Sequence, residues 1–536
     1  MKTKILMIAF IASMLFGYAQ TIPFDYSVKL KPFTISNLSG LHSYVVAQSG
    51  GKWLIIGGRK DGLHARQPFN AFPAASNNTD IYVVDVNTQQ FWTSPVTVLA
   101  TGLAEQMQST NMNFYQDEDS LYMIGGYGYS ATAADHITYP NLTSVSVSGL
   151  INAVVNGASI IPYFKQITDQ NFAVNGGQLG KIDSTFYLVG GHRFDGRYNP
   201  MGNPTYTQTY VDGLKKFKIN NSGTQLSYTN YTLIIDQAHL HRRDYNAEPQ
   251  ILPNGEEGIT MFSGVFQPIV DLPYLNSVTI DSQGYTIDNS FQQYYNHYHC
   301  AVLPMYSASN NEMHNIFFGG IAQYYDDLGV LVQDNNVPFV KTIARVTRDA
   351  SGTLAEYKLP VEMPILLGAG AEFILNRNIP HYDNEVLKLD DIATDSTLVG
   401  YIYGGISSTE RNIFFSNTGT QTIANSQIFK VYVIKNRTTD IDKLNEQSIG
   451  ALHMQVFPNP NDGNFTINFH LSKMSEIKII IQDVNGKFIE NATIKNLKLG
   501  KNTYSKKLEG LVNGGVYFVT LNTGTEKVTQ KIIVEN

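Results

Sequence analysis

The chain has 536 residues, too many for one ordinary domain, and its 38 Lys plus Arg against 45 Asp plus Glu disfavour a protein built to grip nucleic acid. Only 15% of residues are charged, while 32 Tyr, 28 Phe and 44 Gly mark a β-rich chain with many turns. The single cysteine, Cys300, excludes an intramolecular disulfide and a Cys-ligated zinc site, so stability has to come from packing.

At the N-terminus, Lys2 and Lys4 precede an apolar run from Ile5 to Phe16, then Gly17, Tyr18, Ala19 and Gln20. A basic end, an apolar stretch too short to remain as a spanning helix, and small residues before the cut predict a signal peptide over residues 1–19. No cysteine follows the cleavage point, which excludes lipidation there. No later segment is long and apolar enough to span a membrane, so the mature chain is expected to carry no transmembrane segment.

Between residues 40 and 440 a short apolar strand ending in paired glycines recurs. It appears as Leu54-Ile55-Ile56-Gly57-Gly58, Tyr122-Met123-Ile124-Gly125-Gly126, Tyr187-Leu188-Val189-Gly190-Gly191, Ile316-Phe317-Phe318-Gly319-Gly320 and Tyr401-Ile402-Tyr403-Gly404-Gly405. A degenerate copy, Met261-Phe262-Ser263-Gly264, fills the gap between the third and fifth units. Each motif is followed by a loop, a second strand, a turn and a third strand, as in Ile81 to Val86 followed by Phe91-Trp92. Six copies predict six stacked units. The pattern resembles the kelch repeat, in which paired glycines let the chain bend where a side chain would clash. The resemblance implies a six-bladed kelch-like β-propeller over residues 20–438, with enlarged loops. Tyr26 to Ile35 is a strand with no repeat of its own, and it is expected to pair into the last blade and close the ring.

After a linker at 439–451 the texture changes. Phe465, Ile467, Phe469 and Leu471 alternate with polar residues, and Asn485-Gly486 sits between two strand-like runs, as a two-residue hairpin requires. Residues 452–536 therefore predict a small immunoglobulin-like β-sandwich, and the fold class is all-β throughout. Val456-Phe457-Pro458-Asn459-Pro460 with Gly463, then Asp483 to Lys487 with Gly486, then Gly515-Val516-Tyr517-Phe518, then Lys531-Ile532-Ile533-Val534 follow in one order. That order resembles the type A C-terminal sorting domain of the type IX secretion system. The resemblance implies export through the outer-membrane translocon, the domain's partner, to the cell surface or the extracellular space.

In a propeller, the loops after the glycines and the loops entering the innermost strands open at one mouth. Those loops carry Arg59, His64, His192, Arg193, Tyr198, His241, Arg242, Arg243, Tyr245, His297 and His299. Arginine forks match anionic oxygens and Tyr faces stack on sugar rings, so the expected ligand is an extracellular glycan or protein. The bland alternative is that neighbouring Arg and Asp pair to lock the ring while Tyr side chains plug it.

An enzymatic alternative is a lyase on acidic polysaccharide, for which His192, Tyr198, His241, Arg242 and Tyr245 supply the residue types. A copper radical oxidase, as in kelch-containing galactose oxidases, asks for a Cys-linked Tyr with two His and another Tyr. Tyr294 to Cys300 has those residue types without the motif order, and a small buried hydrophobe is the better reading of Cys300. Asp326-Asp327 and Asp390-Asp391 lack the spacing of a calcium loop. No cofactor is named by any motif, and no phosphate loop, serine nucleophile elbow or His-Glu-x-x-His helix occurs.

Overall fold

The computed structural model describes residues 25–436 and 453–535, apart from 68–69, 202–204, 328–329, 472–475, 485–486, 496, 499, 509–513 and 525–526. The signal peptide, the linker 439–451 and the Asn485-Gly486 turn, with its sorting-motif residue Gly486, lie outside these residues. The chain divides into two compact units between Lys435 and Asn436.

Among the described residues the first unit has nine sheets, six of them with a four-strand antiparallel path and three of them two-stranded. The first sheet runs Val45–Ser49, Lys52–Ile56, Asp80–Asp85, Gln90–Pro95, with each strand beside its predecessor. The next four begin at Asn113–Asp117, Gln178–Ile182, Asn246–Ile251 and Ala301–Ser307. The sixth is Leu366–Leu375, Ser396–Ser408, Ile428–Lys435 and finally Tyr26–Phe33 from the other end of the unit. Second strands such as Trp53 to Ile56 and Leu121 to Ile124 are buried along their whole length because neighbouring sheets cover both faces.

Two closed circuits of backbone hydrogen bonds tie the six sheets into a ring. In the inner circuit Asn111 donates to Ser43, Gly176 to Asn111, Asp244 to Gly176, His299 to Asp244, Gly370 to His299 and Ser43 to Gly370, over 2.7–3.2 Å. In the outer one the last glycine of each motif donates to the next sheet: Gly58 to Ser109, Gly126 to Val174, Gly191 to Arg242, Gly264 to His297, Gly320 to Leu367 and Gly405 to Leu41. This explains the paired glycines. At Gly58 φ is +84°, and a Cβ there would stand 2.7 Å from the His42 carbonyl oxygen and 2.8 Å from Tyr44 Cβ. The degenerate copy keeps the glycine that donates and places Ser263 at φ +55° where the others have the first glycine.

The N-terminal strand is in full register with the last one, from Tyr26 opposite Lys435 to Phe33 opposite Ile428. It covers what would otherwise be an open edge of the sixth sheet. Two short helices, Thr101–Met107 and Val147–Val155, have no counterpart in the repeat. Val147, Leu150, Ile151 and Val154 form a helical stripe packed into the core shared by the first two sheets.

The second unit has a three-stranded sheet (His453–Phe457, Asn464–Leu471, Gly500–Lys507) and a four-stranded one. The latter is built from Phe488–Ile494, Ile477–Asp483, Gly515–Asn522 and Lys527–Val534. Both contribute to one core that includes Phe465, Ile467, Ile479, Ile481, Val519 and Ile532.

Deleting residues 21–36 is expected to lower the thermal unfolding temperature of the first unit and to produce oligomers in size-exclusion chromatography, because Ile428–Lys435 becomes a free edge. A variant as stable and monodisperse as the full chain would contradict the closure.

Candidate ligand-binding site

The inner circuit sets the side-chain directions around the axis. Ser43, Asn111, Gly176, Asp244, His299 and Gly370 form it, and the residue before each one lines a cavity of about 290 Å³ at the mouth. Those six are His42, Thr110, Asn175, Arg243, Tyr298 and Ala369. Arg59, Tyr127, His192, Ile321 and Ile406, each the first residue after a glycine pair, stand beside them in the same cavity. The longer loops add Phe72, Phe194, Tyr198, Phe266 and Phe414 as an aromatic wall.

Six of the residues expected at the mouth are therefore brought together: Arg59, His64, His192, Tyr198, Arg243 and His299. The other five are not. Arg193 points outward, 47% exposed, paired with Asp195 at 2.5 Å and donating to Gln170 at 2.8 Å. His241 lies flat on Tyr210, ring centroids 3.7 Å apart, with Nδ1 held 2.5 Å from Asp212. Arg242 is fully buried between sheets, where it donates to the carbonyls of His239, Ser263 and Asn276 and covers the Tyr274 ring. Tyr245 is fully buried and donates to the Val189 carbonyl at 2.6 Å. His297 is fully buried, with Nε2 at 2.8 Å from the Gln293 carbonyl and Nδ1 accepting from the Gln323 amide. These three are structural residues.

Both mouth arginines are neutralised by carboxylates of their own chain segment. Arg59 grips Asp61 through Nε at 2.8 Å and Nη2 at 2.6 Å, and donates to Asn77 through Nη1. Burial opposes ionisation of Asp61, yet His42 and Arg59 hold its pKa down at about 2. Arg243 pairs with Asp244 through Nη1, donates from Nε to the Tyr210 hydroxyl at 2.9 Å and lies over the Phe266 ring.

Three of the mouth histidines, His42, His64 and His192, are uncharged at neutral pH, whereas His299 is raised because the Glu372 carboxylate at 3.2 Å outweighs its burial. Burial pushes His64 down to about 4 and also lowers His42 and His192, with the Arg243 charge adding to the effect on His192. His192 is fixed as one tautomer: Nε2 faces the Asn175 side-chain oxygen at 2.8 Å and Nδ1 accepts from the Gln208 amide at 2.6 Å. His64 stacks on Phe72 and meets Tyr198 edge-on. The site is thus an aromatic bowl with hydrogen-bonding groups at its floor and no unbalanced charge.

Cys300 is buried, and burial pushes its thiol up to about 12, consistent with a packing role. Among the described residues no group of three or more His, Cys, Asp or Glu is arranged to hold a metal ion.

In the second unit the opening and closing motifs meet. Asn459 donates to the Lys531 carbonyl at 2.9 Å and accepts from the Ile533 amide at 2.7 Å, while Asn461 exchanges backbone bonds with Ile533 and Glu535. Pro458 and Pro460 flank that clamp. Gly463 adopts φ +89° and donates to the Asn461 side chain. Asp483 accepts from the Lys487 amide at 2.9 Å to close its turn, and Gly515 starts the strand that pairs with Lys527–Val534.

Residues 455–535 match the secretion system C-terminal sorting domain family. That match marks the chain for export by the type IX secretion system to the cell surface or extracellular space. No curated protein matches the chain. Among solved structures it is similar to YjhT, at 11% identity over 74% of this chain and 97% of that one, with a TM-score of 0.41. A glycoside hydrolase family 43 arabinoxylan arabinofuranohydrolase from Bacillus subtilis aligns at 10% identity over 93% of this chain and 96% of that one, TM-score 0.27. A glycoside hydrolase family 32 protein from Bifidobacterium adolescentis aligns at 8% identity over 93% and 78%, also at 0.27. At these TM-scores none of the three bears on the reading of the site.

Two groups of titrations predict a stability maximum between about pH 4.5 and 6.5. Histidines with depressed folded pKa values, such as His64 and His297 at about 4, keep their contribution above pH 6.5 and lose it as pH falls toward 4. Glu248 and Glu356, pushed up by burial to about 8, contribute fully below about pH 4.5 and lose that contribution as pH rises to about 8. Thermal melts of the full chain from pH 4 to 9 are expected to show both limbs. The Glu248→Gln variant should flatten the fall between pH 6.5 and 8, and an unchanged slope there would contradict the assignment.

Proposed function

We propose that the first unit is a six-bladed kelch-like β-propeller that works outside the cell as a glycan-binding module, and that the immunoglobulin-like second unit delivers it there. One observation carries this reading: at the mouth, aromatic faces from several loops surround a floor of hydrogen-bonding groups, while Arg59 and Arg243 are each balanced by an Asp and His299 by Glu372. Such a bowl suits a neutral sugar ring, which stacks its C–H face on an aromatic and satisfies its hydroxyls at the polar floor. A polyanion would need arginines not already engaged.

Eliminative cleavage of a uronate is disfavoured on the same grounds. Of the five groups that reading draws on, Arg242 and Tyr245 hold the core together, and His241 is outside the bowl. His192 and Tyr198 remain at the mouth, where they serve binding.

The test is calorimetric titration of the full chain with neutral and uronate-containing oligosaccharides. Neutral oligosaccharides are expected to bind with little dependence on salt. Tyr198→Ala and Phe266→Ala should each weaken that binding about tenfold, or roughly 1.4 kcal/mol. Binding confined to uronate polymers with steep salt dependence, or growth of an unsaturated product in the ultraviolet, would overturn the proposal.

A further inference from the structure

Below the inner circuit the channel narrows to a neck of about 20 Å³ bordered by Ser43, Asn111, Gly176, Asp244, His299 and Glu372. A single water needs about 10–15 Å³, so this space holds about one water. Beyond it opens a second chamber of about 200 Å³, walled on one side by Phe114, Tyr115 and Phe373.

Three polar groups in the lining of this chamber have hydrogen-bonding capacity to spare. Asn384 is only 7% exposed, and its Nδ2 is buried without an acceptor. Glu372 Oε1 is buried and its one charged contact is His299 Nε2 at 3.2 Å, which leaves the carboxylate with further acceptor capacity. The Glu248 carboxyl, on the adjacent innermost strand, takes part in no hydrogen bond or ion pair among the described residues. Two acceptors and one donor therefore line a half-open cavity that shares only His299 with the mouth.

Carboxylates outnumber cations around the chamber, whose own lining includes Arg377 and His299. Asp117, Glu385, Glu257 and Asp383 all act on Tyr115 in the chamber wall. Lys181 pairs with Asp117 and Arg377 with Glu385, while Asp183, Glu257 and Asp383 form no ion pair among the described residues. Burial first, then Asp183 and Asp383, raises the pKa of Glu257, as expected where carboxylates crowd one another.

We propose that this chamber is a second ligand site, distinct from the mouth, which takes a small hydroxylated amine. Its ammonium group pairs with Glu248 and Glu372, its hydroxyl accepts from Asn384 Nδ2, and its carbon frame packs on Tyr115. The unused amide donor and the absence of a metal-holding group among the described residues favour an organic cation over a metal ion. Negative surroundings favour an amine over a neutral polyol.

Burial pushes Glu248 up to about 8, with His299 opposing the shift and Glu372 adding to it, and Cys300 is the other titratable group on the adjoining strand. Below that pH, binding an ammonium requires Glu248 to release its proton, so affinity rises with pH.

The experiment uses the full chain and saturation-transfer and titration NMR with 2-amino-1,3-propanediol, glycerol and calcium chloride as probes. The amine is expected to bind about tenfold tighter at pH 8 than at pH 6.5, glycerol not to compete, and calcium not to displace it. Glu248→Gln should weaken amine binding at least tenfold and leave oligosaccharide binding at the mouth intact, which also reports that the variant is folded. Asn384→Ala gives an independent reading: it should weaken the hydroxylated amine and leave ethylamine unchanged. Tyr198→Ala should have no effect on amine binding. Equal binding of glycerol and the amine, pH-independent affinity, displacement by calcium, or indifference to both chamber variants would each overturn the proposal.

Discussion

The structure depends on a closed circuit of six backbone hydrogen bonds around the axis of the first unit. Each member donates to one neighbouring sheet and accepts from the other, so no sheet can shift without breaking two bonds. Most members sit at positive φ: Ser43, Asn111, Gly176, Asp244 and Gly370 fall between +51° and +69°. That geometry turns the chain sharply into the innermost strand. The outer circuit from the glycine pairs braces the same junctions one step farther from the axis.

From this constraint the placement of chemistry follows by alternation. The residue before each circuit member faces the mouth, and those on either side of that pair face the core. Arg243 and Tyr298 line the bowl, whereas Arg242 and His297, one position earlier, are fully buried. Tyr245 and Cys300, one position after the circuit, are buried as well. The circuit also divides the channel, leaving an aromatic bowl on one side and a carboxylate-rich chamber on the other, with His299 exposed to both.

Much of this was legible in the amino-acid pattern, for a physical reason. Glycine pairs recur because few other residues tolerate both the positive φ and the approach of the next sheet, so the six-fold repeat survives divergence elsewhere. The sorting motifs were equally legible, since Asn459 must clamp the last strand. The site was only half legible: a run such as His239 to Tyr245 shows the right residue types, but a one-residue step decides which side chain enters the bowl. Phe72, Phe194, Phe266 and Phe414 escaped notice because apolar residues in long loops look like local packing. The helix Val147–Val155 has no clear signal in the sequence because its β-branched residues and Gly149 have low helix propensity.

Export belongs to the second unit, and the account of the first stands or falls on the inner circuit. Site-resolved hydrogen exchange of the full chain tests it most directly. The amides of Ser43, Asn111, Gly176, Asp244, His299 and Gly370 are predicted to be among the slowest to exchange, opening only with global unfolding. Exchange of these six at the rate of the exposed mouth loops would contradict a ring held at its axis.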